Sequence, residues 1–329
     1  MVIALLISFF ISLVFSIIAG LVFIPMLRRM KVGQTIQEDG PVWHIGKQGT
    51  PTMGGIIFIT GIIIAAFAAG FNEMLEGNYT HLYVAVFALI FALIGFLDDY
   101  EKLKKKQNLG LTASRKFVLQ LLASVVFIFI MQLSGNLTYD VYVPFFNTGF
   151  VMPAAIYYVF AAFVIVGTVN SVNLTDGADG LSTGVTIPVA ITLSLTALLW
   201  NDTANGIFAA ALAGGLFGFL IFNFYPAKVI MGDTGSLFLG GAVCALAFSM
   251  DMPLILITLG FVYFIETLSV IIQVTFFKLT KGRRVFKMSP LHHHFEMCGW
   301  SEYKLFAVFT SVSIVFAIIS YLGVSQRYG

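Results

Sequence analysis

Apolar residues come in runs of about twenty, separated by short polar stretches that hold nearly all of the charge. The runs lie at about 2–24, 52–70, 82–97, 116–134, 152–170, 183–200, 205–222, 235–250, 253–278 and 304–324. Each approaches the length a helix needs to cross a hydrocarbon core of ~30 Å. The ninth run is long enough to be tilted or broken. The pattern predicts an all-α membrane protein, a polytopic bundle of ten transmembrane helices that forms a single integral domain over residues 1–329. The first run has no basic residue ahead of it and exceeds the apolar stretch of a cleaved signal peptide, while Arg28, Arg29 and Lys31 follow it. It is therefore read as an uncleaved helix with the N-terminus outside, and an even number of spans puts the C-terminus outside as well.

Lys and Arg gather on the cytoplasmic side of a membrane protein. With that orientation the inner segments and the span edges touching them carry 17 of the 18 basic residues, and only Arg327 falls outside. Outer loops such as "FNEMLEGNYTH" and "WNDTANG" carry acids and no Lys or Arg. Composition agrees: 59% of residues are hydrophobic and 10% charged, with a mean hydropathy of +0.95, against about 25% charged in soluble domains. A net charge of +2 gives no reason to invoke nucleic acid. Cys244 in an apolar run and Cys298 in a polar loop suggest neither a disulfide framework nor a metal cluster.

The unusual polar motifs all fall on the predicted inner side, so any chemistry faces the cytoplasm. Asp98 and Asp99 end the third span side by side. They are either a polar helix stop, partnered by Lys102 three residues on, or a phosphate–metal site. Two close carboxylates favour a bound divalent cation or a shared proton. Asn170, Asn173, Asp176 and Asp179 recur at intervals of three, and "DGADG" breaks the helix after the first two. Turn chemistry explains the Asp–Gly pairs, but four acids and amides in ten residues also suit a cradle for a polar ligand or a cation. Asp233, between Gly232 and Gly235, opens the eighth span as a helix cap or as a metal ligand. His292, His293 and His294 are three of only five histidines. Adjacent imidazoles cannot all point one way, which argues against zinc held by all three and for contacts to phosphate oxygens. Glu266 lies within the ninth span and is left outside the site, as an acid that braces a helix break.

Five segments then carry a resemblance: "GTPTMGG" (49–55), "LDDYEKLKKK" (97–106), "NSVNLTDGADGL" (170–181), "FNFYPAKVIMGDTGS" (222–236) and "MSPLHHHFEMCGWSE" (288–302). Together they resemble the polyprenyl-phosphate N-acetylhexosamine 1-phosphate transferases, and "GTPTMGG" and "PLHHHFE" followed by "GW" are specific to the muramoyl-pentapeptide branch. The resemblance covers nearly the whole chain, in order. It implies a Mg²⁺-dependent enzyme of the bacterial cytoplasmic membrane, active on the cytoplasmic face. Its substrates would be UDP-N-acetylmuramoyl-pentapeptide and undecaprenyl phosphate, and its products lipid I and UMP, in the first membrane step of peptidoglycan synthesis. By matching motif positions, Asp98, Asp99, Asp233, His292 and His293 would be catalytic, with Asp233 and Asp99 on the metal. Lys47, Lys102, Asn170, Asn173, Asp176, Asp179, Asn223 and His294 would bind substrate. The family often has Phe directly before "MGD", placed to stack on uracil; here the position is Ile230, so uracil packs on an aliphatic surface or another aromatic serves. A homodimer is compatible with the resemblance and has no sequence signature. The alternatives are a related transferase moving another N-acetylhexosamine phosphate, a non-catalytic lipid-binding scaffold, and a cation-coupled transporter with Glu266 as a coupling site. Polar groups gathered at one surface, not at midplane, speak against the transporter.

Overall fold

The structure, a computed structural model, describes residues 1–30, 49–105, 107 and 109–327. Lys47, expected in the site, lies outside the described residues. The helices in order are α1 (Val2–Arg29), α2 (Gly55–Ala69), α3 (Phe71–Leu75), α4 (Thr80–Lys105), α5 (Ala113–Leu133), α6 (Ala154–Thr175), α7 (Leu181–Leu199), α8 (Thr203–Asn223), α9 (Gly232–Ser249), α10 (Leu256–Leu259), α11 (Phe261–Leu279), α12 (Leu291–Glu296) and α13 (Glu302–Val324). Among the described residues nine helices are long and apolar enough to cross a membrane, and α2 is a shorter apolar helix of 15 residues. The chain is thus an all-α polytopic membrane protein, as the hydrophobic runs predict.

The bundle is built around α9. Its residues from Thr234 to Phe248 are all buried, α4 and α6 pack most extensively against it, and α7 and α8 are as deeply buried. By contrast α1, α5, α11 and α13 turn most of their surface outward, with Ile3, Phe10, Phe129 and Leu279 among their exposed apolar residues. In a bilayer such faces meet lipid tails, so helix association depends on close packing and not on expulsion of water. Small residues at the contacts show this. A Cβ on Gly214 of α8 would come within 2.1 Å of the Phe9 carbonyl oxygen, and one on Gly218 within 2.8 Å of that of Leu13. Spaced four apart, these glycines let α8 lie against the backbone of α1. Among the described residues the main apolar cluster runs from Ala19 to Val324, and a smaller one gathers Leu5, Ile207 and Ala210.

Two features depart from a plain row of spans. The ninth run is broken: a 3₁₀ turn at Pro253–Ile255 and the single turn α10 precede Gly260, after which α11 starts afresh. The loop before α6 contains an antiparallel hairpin, β1 (Asp140–Val143) with β2 (Thr148–Val151), which the sequence reading treats as plain outer loop. Its turn is fastened to the end of α13 by the Phe145 N–H donating to the Gly323 carbonyl at 2.9 Å.

The ends of α4, α6 and α11 and the beginnings of α9, α12 and α13 meet at one end of the bundle. The strand-like segment before α2 belongs there too. Ile230 N–H donates to the Pro51 carbonyl (2.8 Å), and Gly54 N–H to that of Ile230 (2.9 Å). This pairing lays "GTPTMGG" alongside the loop that leads to Asp233.

Candidate active site

Successive residues of a helix point about 100° apart, so Asp98 and Asp99 at the end of α4 face different neighbours. Asp99 faces α9. That helix has no side-chain cap of its own, and its orphan N–H groups are met from across the bundle. Asp99 Oδ1 accepts from Asp233 N (3.1 Å), and Oδ2 accepts from Thr234 N (2.9 Å) and Thr234 Oγ1 (2.7 Å). The negative charge at the positive end of α9 is favourable in its own right. Close approach makes it possible: a Cβ on Gly95 would stand 2.1 Å from the Asp233 carbonyl oxygen.

Asp98 faces the other way. Its Oδ1 accepts from Leu111 N at 2.9 Å, and its Oδ2 lies 2.6 Å from Lys102 Nζ and 3.9 Å from Lys116 Nζ. Asp233 completes the cluster. Its Oδ2 takes Lys102 at 2.9 Å and Lys116 at 2.7 Å, and its Oδ1 accepts from Asn173 Nδ2 at 2.8 Å. Asn173 also donates to Ser236 Oγ at 2.8 Å. Asp98, Asp99 and Asp233 each offer an oxygen within 4.8 Å of the others. Three carboxylates against two ammonium groups leave an excess of one negative charge if all five are ionised. With both aspartates of α4 buried, such an excess is costly without a further cation. Lys116 was not expected here. At the edge of a span it looks like any topology-setting lysine, and only the fold reveals its partner.

The remaining acids and amides of the inner loops divide. Asn170 donates to Gln120 Oε1 and the Val166 carbonyl, both at 2.7 Å, and not to the acids. Asp176 caps the end of α6 and is half-buried. Asp179 is buried; its Oδ2 accepts from Ala227 N (2.9 Å), and its own N–H donates to Glu302 Oε2 (3.0 Å). Asn223 is also buried, its Oδ1 accepting from Thr183 Oγ1 (2.7 Å) and its Nδ2 donating to the Val229 carbonyl (3.1 Å). Asp179 and Asn223 therefore brace the 224–231 loop that delivers Asp233.

The three histidines fan out from α12 as the helical repeat requires. His292 is buried against Glu266 of α11. One Glu266 oxygen accepts the His292 backbone N–H (3.2 Å) and the other pairs with ring Nδ1 (3.1 Å). The other ring nitrogen, Nε2, has no partner among the described residues. That nitrogen faces Gly177, where a Cβ would lie 2.1 Å from it. His293 Nδ1 pairs with Glu296 Oε2 at 2.7 Å. His294 Nδ1 accepts from Lys287 N at 3.1 Å, and its Nε2 faces Cys298 Sγ at 3.9 Å. Asn173 touches Asp233 and Gly177 touches His292, and four residues of chain reach at most about 14 Å. The acids and His292 thus belong to one neighbourhood.

Glu266 is the acid that the sequence reading sets aside. Its lone position in an apolar span was the available signal, since an acid inside a membrane is a functional candidate by default. Glu266→Gln keeps the shape but leaves an amide donor facing one of the two His292 N–H groups. It is expected to lower turnover roughly ten- to a hundredfold, the usual effect of losing an imidazole's orienting partner, with KM little changed. Steady-state kinetics decides, and unchanged turnover would remove Glu266 from the site.

Comparison with known proteins bears on this arrangement. A family model described as glycosyl transferase family 4 matches residues 81–251. The phospho-N-acetylmuramoyl-pentapeptide-transferase signature 1 matches residues 47–59. The phospho-N-acetylmuramoyl-pentapeptide-transferase of Clostridium acetobutylicum is 45% identical over 96% of this chain and 97% of its own length. That of Caldanaerobacter subterraneus subsp. tengcongensis is 47% identical over 95% and 96%, and that of Acetivibrio thermocellus 44% over 97% and 95%. The chain belongs to the phospho-N-acetylmuramoyl-pentapeptide-transferase family. It is accordingly a transferase of the membrane, not a carrier or a scaffold. The family 4 match runs from α4 to the end of α9 and so contains the acid cluster and its lysines, while Glu266 and the histidines lie beyond it. The signature covers the segment that pairs with the loop before Asp233.

Proposed function

We propose that the protein catalyses Mg²⁺-dependent transfer of phospho-N-acetylmuramoyl-pentapeptide from its UDP conjugate to undecaprenyl phosphate, releasing UMP and forming lipid I. The observation that carries this is the cluster of Asp98, Asp99 and Asp233 around two lysines, at the bundle end where the muramoyl-transferase signature also packs. The chain works as one catalytic unit in the bacterial cytoplasmic membrane. The cluster faces the cytoplasm, a side supported by the one-sided distribution of Lys and Arg. A soluble polyanion and a phosphate tethered to a lipid can meet only at such an interface.

The donor set suits a hard divalent cation: all oxygens, close together, and carrying more negative than positive charge. Asp233 and Asp99 would hold Mg²⁺, Asp99 with the lone-pair capacity left after its three protein donors, which also keep Asp233 in place. When bound, the ion neutralises charge on the diphosphate. Lys102 and Lys116, which lie on Asp233 Oδ2, would serve as donors to phosphate oxygens. Asp98 orients the acceptor phosphate and takes its proton. An acceptor oxygen then attacks the β-phosphorus, the bond to the α-phosphate breaks, and UMP leaves with the electron pair. His292 presents Nε2 toward the Gly177 turn, where it contacts a phosphate or sugar oxygen.

The test supplies the protein in nanodiscs with undecaprenyl phosphate, Mg²⁺ and a panel of UDP-sugars, and measures UMP release and radiolabelled lipid. Turnover with UDP-N-acetylmuramoyl-pentapeptide alone is expected. Turnover with another UDP-N-acetylhexosamine instead would point to the related transferase reaction. A phospho-aspartate trapped with nucleotide sugar alone would replace direct attack by a double displacement.

A further inference from the structure

Lys278, Lys281, Arg283, Arg284 and Lys287 fall within ten residues, from the last turn of α11 into the segment that leads to α12, and no Asp or Glu occurs from 267 to 295. All five are exposed, and none forms an ion pair among the described residues. The basic run at the end of α4 differs, because there Lys105 pairs with Glu101. The α11–α12 segment is also built. Gln273, buried on α11, accepts from Val285 N and Phe286 N, both at 3.0 Å, and donates to the Phe286 carbonyl at 2.9 Å. One amide therefore holds the middle of the segment against α11. Residues that serve only to orient the chain in the membrane need no such fastening.

The flanking surface is apolar. Phe276, Phe277 and Leu279, on the last turns of the outward-facing α11, are exposed, and so is Val285 between the basic residues. Charges immediately beyond a spanning helix stand at headgroup depth, and each attracts an anionic leaflet. We propose that residues 278–287 form a docking site for the phosphodiester headgroups of anionic membrane lipids, with Val285 and Leu279 resting on the acyl boundary. The site touches the histidine helix: Arg284 Nη1 donates to the Lys287 carbonyl (3.2 Å), Lys287 N–H to His294 Nδ1 (3.1 Å), and Lys287 Nζ to the Met297 carbonyl (3.0 Å). A bound headgroup thus steadies α12, and the consequence for turnover, though not the binding, rests on the transferase reading.

Native mass spectrometry of the full chain, titrated with phosphatidylglycerol or phosphatidylcholine, tests the site without reference to activity. Wild type is expected to retain phosphatidylglycerol in preference to phosphatidylcholine. The double variant Lys281→Gln/Arg283→Gln should bind phosphatidylglycerol about 25-fold more weakly, near fivefold per charge removed. The charge-preserving pair Lys281→Arg/Arg283→Lys should bind as wild type does, and so should Lys104→Gln/Lys105→Gln on α4. Equal affinity of the neutral pair and wild type, or equal loss in the α4 pair, would overturn the proposal. A companion assay in nanodiscs of each lipid reads the turnover consequence. If wild type shows no transfer in either lipid, the transferase reading fails while the binding result stands on its own.

Discussion

Asp233→Asn should lower turnover by roughly 10²–10³-fold, the usual cost of removing one group that stabilises developing charge. In the wild type, Asp233 accepts from Asn173 on one oxygen and from Lys102 and Lys116 on the other. An amide in its place turns an NH₂ toward donors on one side or the other and loses the charge that a cation would meet. Stability should respond differently from activity. Asp233→Asn leaves two carboxylates with two lysines, which balance, whereas Lys102→Met leaves three carboxylates with one lysine at a half-buried site. The lysine variant should therefore lose more thermal stability, while Asp233→Asn loses turnover with a milder shift in melting temperature. Kinetics and unfolding measured on both variants check the ordering, and a Lys102→Met protein as stable as wild type would refute the charge account.

The second large effect concerns a residue with no side chain. Gly95→Ala would place a Cβ 2.1 Å from the Asp233 carbonyl oxygen, 2.4 Å from its carbon and 2.7 Å from Thr234 N. All three are backbone atoms at the first turn of α9, so relief requires α4 and α9 to part. Parting them draws Asp99 away from the three donors it meets on α9. Overpacking of this kind costs about 1–3 kcal/mol, and turnover should fall at least tenfold as the two acids lose register. Gly167→Ala on α6 is the matched control, since nothing lies within 4 Å of its Cβ. It should be neutral or slightly stabilising through helix propensity. Melting curves and transfer rates for the two variants test this, and a fully active Gly95→Ala protein would show that the helix contact does not set the site.

Much of this was legible in the sequence because a bilayer writes its demands in plain composition. Apolar runs of near-constant length mark the helices, and the placement of Lys and Arg sorts their ends. The same sorting collects Asp98, Asp99, Asp233 and the histidines at one end before any contact is known. What sequence hides is partnership. Lys116 is indistinguishable from a topology-setting charge until the fold brings it 2.7 Å from Asp233. Glu266 stands out as an acid in a span, but its partner His292 lies 26 residues on, beyond any helical register. Asp98 and Asp99 are neighbours in the chain and diverge in space, one to the lysines and one to α9. Asn223 and Asp179, expected to line the pocket, also brace the loop that delivers Asp233, a partnership no residue pattern shows. The hairpin at 140–151 went unforeseen because short strands hide easily inside a loop between long apolar runs.

Mn²⁺ in place of Mg²⁺ gives the most direct access to the acid cluster. Electron–nuclear double resonance on the protein with Mn²⁺ and UDP-N-acetylmuramoyl-pentapeptide should show phosphorus coupled to the metal, and Asp233→Asn should abolish that coupling while Asn170→Ala leaves it intact. Coupling of equal strength in Asp233→Asn, or none in the wild type at saturating nucleotide, would mean that these carboxylates do not hold a metal-bound diphosphate.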